Sequence, residues 1–248
     1  MIPKVIHQIW LNENKMMPET IVDCIKGIRS MNPTMDYKLW TFDDIDYLNS
    51  ILSENGLMGA NILKSRFEKN PAMINVFMSD IYRLAILSKF GGLYVDTDVI
   101  AKKPFPDEIF QKRLFFTIPV PRAMWITNGI FGMQEDSSEI SESIFINCKK
   151  DFTASPEFYT LGLMSWAGCN PDKQKKFPPS VLVECLEAKD AFVDSRYNYF
   201  NTQRRNLSTD VVCVHIGLAS WHPKSSKHYK HEIINEEPKL HISSIYKD

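Results

Sequence analysis

The stretch Ser79-Asp80-Ile81-Tyr82-Arg83-Leu84-Ala85-Ile86-Leu87-Ser88-Lys89-Phe90-Gly91-Gly92-Leu93-Tyr94-Val95-Asp96-Thr97-Asp98-Val99 decides the fold of this chain. Phe77, Ile81, Leu84, Ala85 and Ser88 recur at helical spacing, and two glycines follow Phe90 as a stop. Leu93, Tyr94 and Val95 form a short apolar run, as in a strand covered on both faces. A helix from Asp80 to Phe90 rises roughly 15 Å, and a strand from Leu93 to Asp98 runs back roughly 16 Å. Asp96 and Asp98 should therefore return to the level of Ser79 and Asp80. Asp80 and Arg83, three apart, share a helix face. The motif thus gathers three carboxylates and one guanidinium at one end of a sheet, a setting that suits magnesium or manganese with a phosphorylated ligand.

Outward from this unit, strands alternate with helices. Lys4 to Trp10 reads as a first buried strand, and Pro18 opens a helix carrying Ile21, Val22, Ile25 and Ile28. Tyr37 to Phe42 is a second strand, with Asp43 as cap of a helix containing Ile45, Leu48, Ile51 and Leu52 and ending near Asn55-Gly56. Ala60 to Asn70 reads as a further helix, and the organising helix is expected from about Val76. Beyond Asp98, Val99 to Lys102 suits an edge strand, Leu114 to Ile118 and Ile126 to Met133 suit strands around a Pro119-Val120-Pro121 turn, and Ile140 to Lys149 suits an amphipathic helix. From Asp151 to Pro179 the period weakens around Gly162, Gly168, Pro171, Pro178 and Pro179, so this part reads as mostly loop. Val181 to Lys189 suits a helix, Ala191 to Val193 a short strand and Val211 to Ile216 a buried one. The alternation predicts an α/β sheet that is at least partly parallel.

The 248 residues suffice for one full domain, of which 44% are hydrophobic and 24% charged. We expect a single domain over 1–248: residues 1–100 a ligand-binding half, 101–222 a second half with a closing block, and 223–248 a Lys- and His-containing tail. With 29 basic against 30 acidic residues, no global field points to nucleic acid or an anionic membrane. The five cysteines are scattered and lack a Cys-x-x-Cys pair, which suits reduced thiols in the cytoplasm. No leader or apolar run of membrane-spanning length is seen, so the expectation is a cytoplasmic protein with at most peripheral membrane contact.

Asp96 and Asp98 stand where open α/β sheets bind their ligands. A metal there would bridge two phosphates and stabilise a departing diphosphate. Asp-x-Asp alone is common, and it equally suits a strand end facing solvent. Asp80 and Arg83 could be only an intrahelical ion pair, but the hairpin geometry brings their helix face beside Asp96, where they could hold sugar hydroxyls. Trp10 could stack on a nucleobase or pack in the core, and His7 reads as a satisfied buried histidine. His215 emerges at the end of the last buried strand, where it could be a third metal ligand and Ser220 could complete an oxygen shell, although six histidines are spread over the chain and none forms a His-x-x-x-His pair. Asn128-Gly129 suits either a hairpin turn or an amide offered to a sugar. No P-loop or dinucleotide fingerprint is present.

Together these residues resemble the Asp-x-Asp sugar transferase family of fungal initiating mannosyltransferases and capsular polysaccharide enzymes, with the clostridial glucosylating toxins as distant relatives. Four blocks carry the resemblance: Ile2 to Trp10, Ser79 to Asp98, Ile126 to Phe131 and His215 to Trp221. It implies a GT-A fold and retaining transfer of a hexose or N-acetylhexosamine from a nucleotide diphosphate sugar. UDP-sugar is the expected donor and GDP-mannose the other candidate. The acceptor would be a glycan, lipid-linked or protein hydroxyl, in polysaccharide biosynthesis. By the same carry-over, Ile9, Trp10, Ser79, Asp80, Arg83, Tyr94, Asp96, Ser220 and Trp221 would hold the nucleotide sugar, with Trp10 on the base and Trp221 over the leaving diphosphate. Asp98, Asp96, His215 and Ser220 would hold Mn2+ or Mg2+, and Asp80, Arg83, Asp96, Asp98 and Asn128 would carry the catalysis. Where many members have a Gly-Pro segment, this chain has Thr160-Leu161-Gly162-Leu163-Met164. Two rivals remain. A phosphohydrolase of the haloacid dehalogenase type would use Asp96 as nucleophile, although no Gly-Asp or Asp-Asp follows Asp98. A binding module without turnover would keep the same pocket.

Overall fold

The computed structural model describes residues 1–12, 16–54, 71–118, 126–151, 156–168, 186–194, 199–200 and 211–216. Its centre is a six-stranded sheet in the order β2-β1-β3-β6-β5-β7. The strands are β1 (Val5–Trp10), β2 (Asp36–Thr41), β3 (Gly92–Val95), β5 (Leu114–Thr117), β6 (Thr127–Met133) and β7 (Ala191–Asp194). β1 runs parallel to β2 and β3, and β5 parallel to β7, while β6 is antiparallel to both β3 and β5. β4 (Val99–Ala101) leaves this sheet and pairs antiparallel with β9 (Cys213–His215), which pairs with β8 (Tyr199–Phe200) in a second sheet. The expected edge strand after Asp98 is thus real, but it belongs to the smaller sheet.

Alternation along the strands builds two cores. Tyr94, Ile9, Trp40 and Phe131 point to one face, under α2 (Ile45–Glu54), α3 (Pro71–Phe90), α5 (Ser138–Asp151) and α6 (Pro156–Ala167). Leu93, Val95, Ile6 and Ile130 point to the other, where they meet Ile28 of α1 (Glu19–Met31), Ile109 of α4 (Asp107–Phe110) and Val99 of β4. A strand of period two sandwiched between helical layers buries every residue, as β3 does. Each large aliphatic side chain so placed contributes about 1.5–3 kcal/mol of burial.

The organising unit folds back as expected. α3 starts at Pro71 rather than Val76, because a proline in the first turn gives up an N–H that has no partner there anyway. Gly91, at φ +64°, ends it by donating its N–H to Leu87 O at 2.9 Å. A Cβ on Gly91 would lie 2.6 Å from both Pro3 and Glu135 N, and one on Gly92, at φ +93°, 2.6 Å from Val5. The tight turn therefore needs glycine for space as well as for torsion.

Three expectations are corrected. The cap before α2 is made by Thr41 and Asp44, not Asp43: the Thr41 N–H donates to Asp44 Oδ2 at 2.8 Å, across the 3-10 turn Phe42–Asp44. Asn128-Gly129 is no hairpin turn, since both residues lie inside β6. The segment read as loop from Asp151 contains α6, whose Leu163 and Met164 are buried in the core. Gly162, taken as a breaker, is where α6 meets α5: a Cβ there would lie 2.3 Å from Ile144 Cα. The helix Ala60 to Asn70, the Pro119-Val120-Pro121 turn, Ser220, Trp221 and the tail lie outside the described residues.

Candidate functional site

The site forms where β3 ends. Asp96 follows the last residue of β3, its N–H donates to Gly129 O of β6 at 2.7 Å, and Thr97 and Asp98 turn the chain into β4. The β4–β9 register sets Val99 opposite His215, and Ile216 N–H donates to Asp98 O at 3.0 Å. This pairing delivers the imidazole: His215 Nε2 lies 2.9 Å from Asp98 Oδ1 and 3.6 Å from Asp96 Oδ2. One donor atom from each of Asp96, Asp98 and His215 falls within 4.8 Å of the others.

The helix side of the site is a fixed network around Arg83, which is 6% exposed. Its guanidinium meets Asp80 Oδ1 at 2.9 Å and Asp96 Oδ1 at 3.2 Å, and donates through Nη1 to Asn128 O at 2.6 Å. It lies over the Tyr94 ring at 4.3 Å, and the Tyr94 hydroxyl donates to Asp96 Oδ1 at 2.9 Å. Asn128 Nδ2 donates to Asp80 Oδ1 at 2.9 Å, and Arg83 Nε donates to Ser79 O at 3.3 Å. The pair is therefore far more than the exposed intrahelical contact that spacing alone suggests. A fork shared by two carboxylates and two carbonyls cannot be replaced by lysine without loss.

Electrostatics follow from this crowding. Burial, added to the charge of Asp96, pushes the Asp80 carboxyl up to about 7 against the pull of Arg83 and Asn128. Burial likewise raises Asp96, with Asp98 adding to it and Arg83 and His215 opposing. Burial alone would lower the His215 imidazole, but Asp98 and Asp96 outweigh it and raise it. Three carboxylates thus face one guanidinium and one titratable ring, a balance that a divalent cation would complete. Carboxylate oxygens with one imidazole nitrogen and no thiolate form a donor set that fits Mn2+ or Mg2+.

Of the residues expected from sequence, Ser79, Asp80, Arg83, Tyr94, Asp96, Asp98, Asn128 and His215 come together here. Trp10 ends β1, which runs parallel to β3, and is half-buried; the Ile9 side chain packs in the core beneath it. His7 is a satisfied buried histidine: Trp40 Nε1 donates to its Nδ1 at 3.2 Å, and its Nε2 faces Gly91 O at 3.2 Å. Two residues to which the sequence assigned no role in the site stand against Asp96. A Cβ on Gly129 would lie 2.7 Å from Asp96 Oδ2 and 2.9 Å from His215 Cε1, and Gln8 holds the Asp96 carbonyl. A fully buried amide within an apolar strand was the available signal for Gln8; Gly129 had none, because its neighbours are distant in sequence.

Residues 18–116 match the family described as a glycosyltransferase sugar-binding region containing a DXD motif. The match holds Asp80, Arg83, Asp96 and Asp98 and ends before Asn128 and His215. Inositol phosphoceramide mannosyltransferase 1 of Schizosaccharomyces pombe is 33% identical over 133 residues, which are 52% of this chain and 38% of that protein. An uncharacterized glycosyltransferase of Acanthamoeba polyphaga mimivirus is 23% identical over 239 residues, covering 90% of this chain and 85% of its own. The chain thus spans well under half of the yeast relative. Among solved structures, the PaToxG glycosyltransferase superposes with a TM-score of 0.53 at 17% identity, over 76% of this chain and 73% of that one, a likeness of fold. With its Asp-x-Asp pair seated inside the matched region and a mixed, mostly parallel sheet around it, the chain has the GT-A fold, and its residues 18–116 are similar to the DXD-containing sugar-binding region of glycosyltransferases.

Proposed function

We propose that the protein is a metal-dependent retaining glycosyltransferase that moves a hexose or N-acetylhexosamine from a UDP-sugar to a hydroxyl acceptor. The observation that carries this reading is the convergence of Asp96, Asp98 and His215 within 4.8 Å, beside the Arg83–Asp80 pair. Asp98, Asp96 and His215, with Ser220, would hold Mn2+ or Mg2+, which when bound supplies Lewis-acid charge for the departing diphosphate. Arg83 is held on both sides before any ligand arrives, so it needs no reorganisation to face the donor. Asp80 and Arg83 would grip sugar hydroxyls, Trp10 the base, and Trp221 the diphosphate, with Ser79, Tyr94, Ile9 and Asn128 shaping the surrounding wall. In the transfer, the bond from the anomeric carbon to the diphosphate oxygen breaks, and the acceptor oxygen bonds to that carbon from the same face. The acceptor proton goes to the leaving phosphate oxygen, because the described residues offer no separate base across the site.

The acceptor is a glycan, lipid-linked or protein hydroxyl. Among the described residues no helix is long and apolar enough to cross a membrane. The phosphohydrolase alternative would need Asp96 as nucleophile, yet its Oδ1 is tied to Tyr94 and Arg83. Incubation with Mn2+ and a panel of nucleotide sugars tests the proposal. Slow donor hydrolysis with nucleotide release is expected from one sugar class, and Asp98→Ala should abolish it. Donor binding without turnover would favour a binding module; unchanged turnover by Asp98→Ala would sink the metal assignment.

A further inference from the structure

Gln8 occupies an unusual place: an amide with 0% exposure in the middle of β1. The β1–β3 ladder pairs Ile6 with Leu93 and His7 with Tyr94, and it stops below Asp96. From there the Gln8 side chain takes over, with Nε2 donating to Asp96 O at 3.1 Å. A carbonyl only accepts, so the amide nitrogen must face it, and Gln8 Oε1 is left to accept from the Tyr37 hydroxyl at 2.9 Å. Burial pushes the Tyr37 phenol up to about 12, which keeps that donor protonated. Tyr37 is itself covered by Arg29, whose guanidinium lies 5.0 Å from its ring centre. On the other side, Asp96 N–H is held by Gly129 O.

We propose that Tyr37 and Gln8 form a two-step hydrogen-bond relay that positions the Asp96–Thr97 peptide, and through it the direction in which the Asp98 carboxylate enters the metal cluster. Both are positioning residues, touching neither donor nor metal. The physical reason is that Asp98 lies three residues beyond the end of β3, in a turn whose first peptide the β1–β3 ladder does not reach. The Asp96 N–H is fixed from β6 and its C=O from β1, so the turn leaves the sheet in one orientation. The inference rests on the metal reading above.

The test measures Mn2+ dissociation constants, by titration calorimetry or electron paramagnetic resonance, alongside melting temperature. Tyr37→Phe removes only the hydroxyl, and Gln8→Met keeps the side-chain length without the amide. Outer partners of metal ligands typically change affinity about 10–100-fold. Gln8→Met should therefore weaken Mn2+ about tenfold or more, and Tyr37→Phe by a smaller factor of about three or more. The double variant should bind no worse than Gln8→Met alone, because Tyr37 acts only through Gln8. Ile28→Val, buried on the same sheet face, serves as a stability control and should leave the affinity unchanged. If the wild-type protein binds Mn2+ but Tyr37→Phe and Gln8→Met bind within about twofold of it, the relay is refuted while the metal site stands. Full additivity in the double variant, or an equal loss in Ile28→Val, also refutes the relay. A wild-type protein that binds neither Mn2+ nor Mg2+ overturns the metal reading and the relay with it. Should Gln8→Met fail to fold, Tyr37→Phe decides by itself.

Discussion

Gly129→Ala adds one methyl group to the floor of the site. Gly129 lies inside β6 and outside the left-handed torsions of Gly91 and Gly92, so alanine meets no left-handed strain there and its effect comes from contact. Its Cβ would stand 2.7 Å from Asp96 Oδ2, 2.9 Å from His215 Cε1 and 3.2 Å from His215 Nδ1. Ordinary contact needs 3.4 Å, so the carboxylate must retreat by about 0.7 Å. It cannot do so freely, because Oδ1 of the same group is tied to Tyr94 at 2.9 Å and Arg83 at 3.2 Å. Overpacking of this kind costs about 1–3 kcal/mol. If it is taken out of the ligand geometry rather than out of the fold, Mn2+ affinity falls about 10–100-fold. The assay is Mn2+ titration of wild type and variant, with melting temperature followed in parallel. A variant that melts near wild type and binds Mn2+ within about twofold of it would refute the claim that Asp96 and His215 are held in ligand geometry. A large drop in melting temperature with unchanged affinity would refute it equally.

Three further outcomes are expected. Arg83→Met leaves Asp80 and Asp96 facing each other without their cation, so stability should fall by about 3–5 kcal/mol. Adding Asp80→Asn should recover part of that loss in chemical denaturation, and no recovery would refute a shared charge network. His7 is buried neutral, with burial lowering it from 6.5 to about 4 against its Gly91 hydrogen bond. The unfolded chain therefore binds the proton first. This stabilisation is complete above pH 6.5 and lost as pH falls towards 4, on the order of 3 kcal/mol in all; His7→Phe should flatten the slope of unfolding free energy between pH 7 and 5. Gly91→Ala meets a left-handed torsion and two 2.6 Å contacts, so it should lose at least about 1–2 kcal/mol in urea unfolding; a neutral effect would mean the turn is not rigid.

How much of this was legible in sequence depends on range. The α3–β3 hairpin was, because its determinants are local: apolar residues at helical spacing, a glycine stop, and an apolar run ending in two carboxylates. The face shared by Asp80 and Arg83 follows from the same periodicity. α6 was hidden because a glycine looks alike whether it breaks a helix or lets another helix approach, and only the position of Ile144 against Gly162 tells the two apart. Asn128-Gly129 carries a turn dipeptide, yet it lies inside β6, where the register against β5 shifts and Gly129 O accepts from the Asp96 N–H. The cap went to Asp44 rather than Asp43 because the reach from Thr41 decides it.

By itself, the sequence determined the folded-back helix and strand, the alternation that makes an α/β sheet, and the gathering of Asp80, Arg83, Asp96 and Asp98 at one end of it, since all of these are set by spacing along a few turns of chain. Only the tertiary structure decided that His215 faces Asp98, that Gly129 has no room for a methyl group, and that Gln8 carries the Asp96 carbonyl to Tyr37. Those contacts depend on which distant strands pair and in what register, and a register is chosen by the packing of whole sheet faces rather than by any short run of residues.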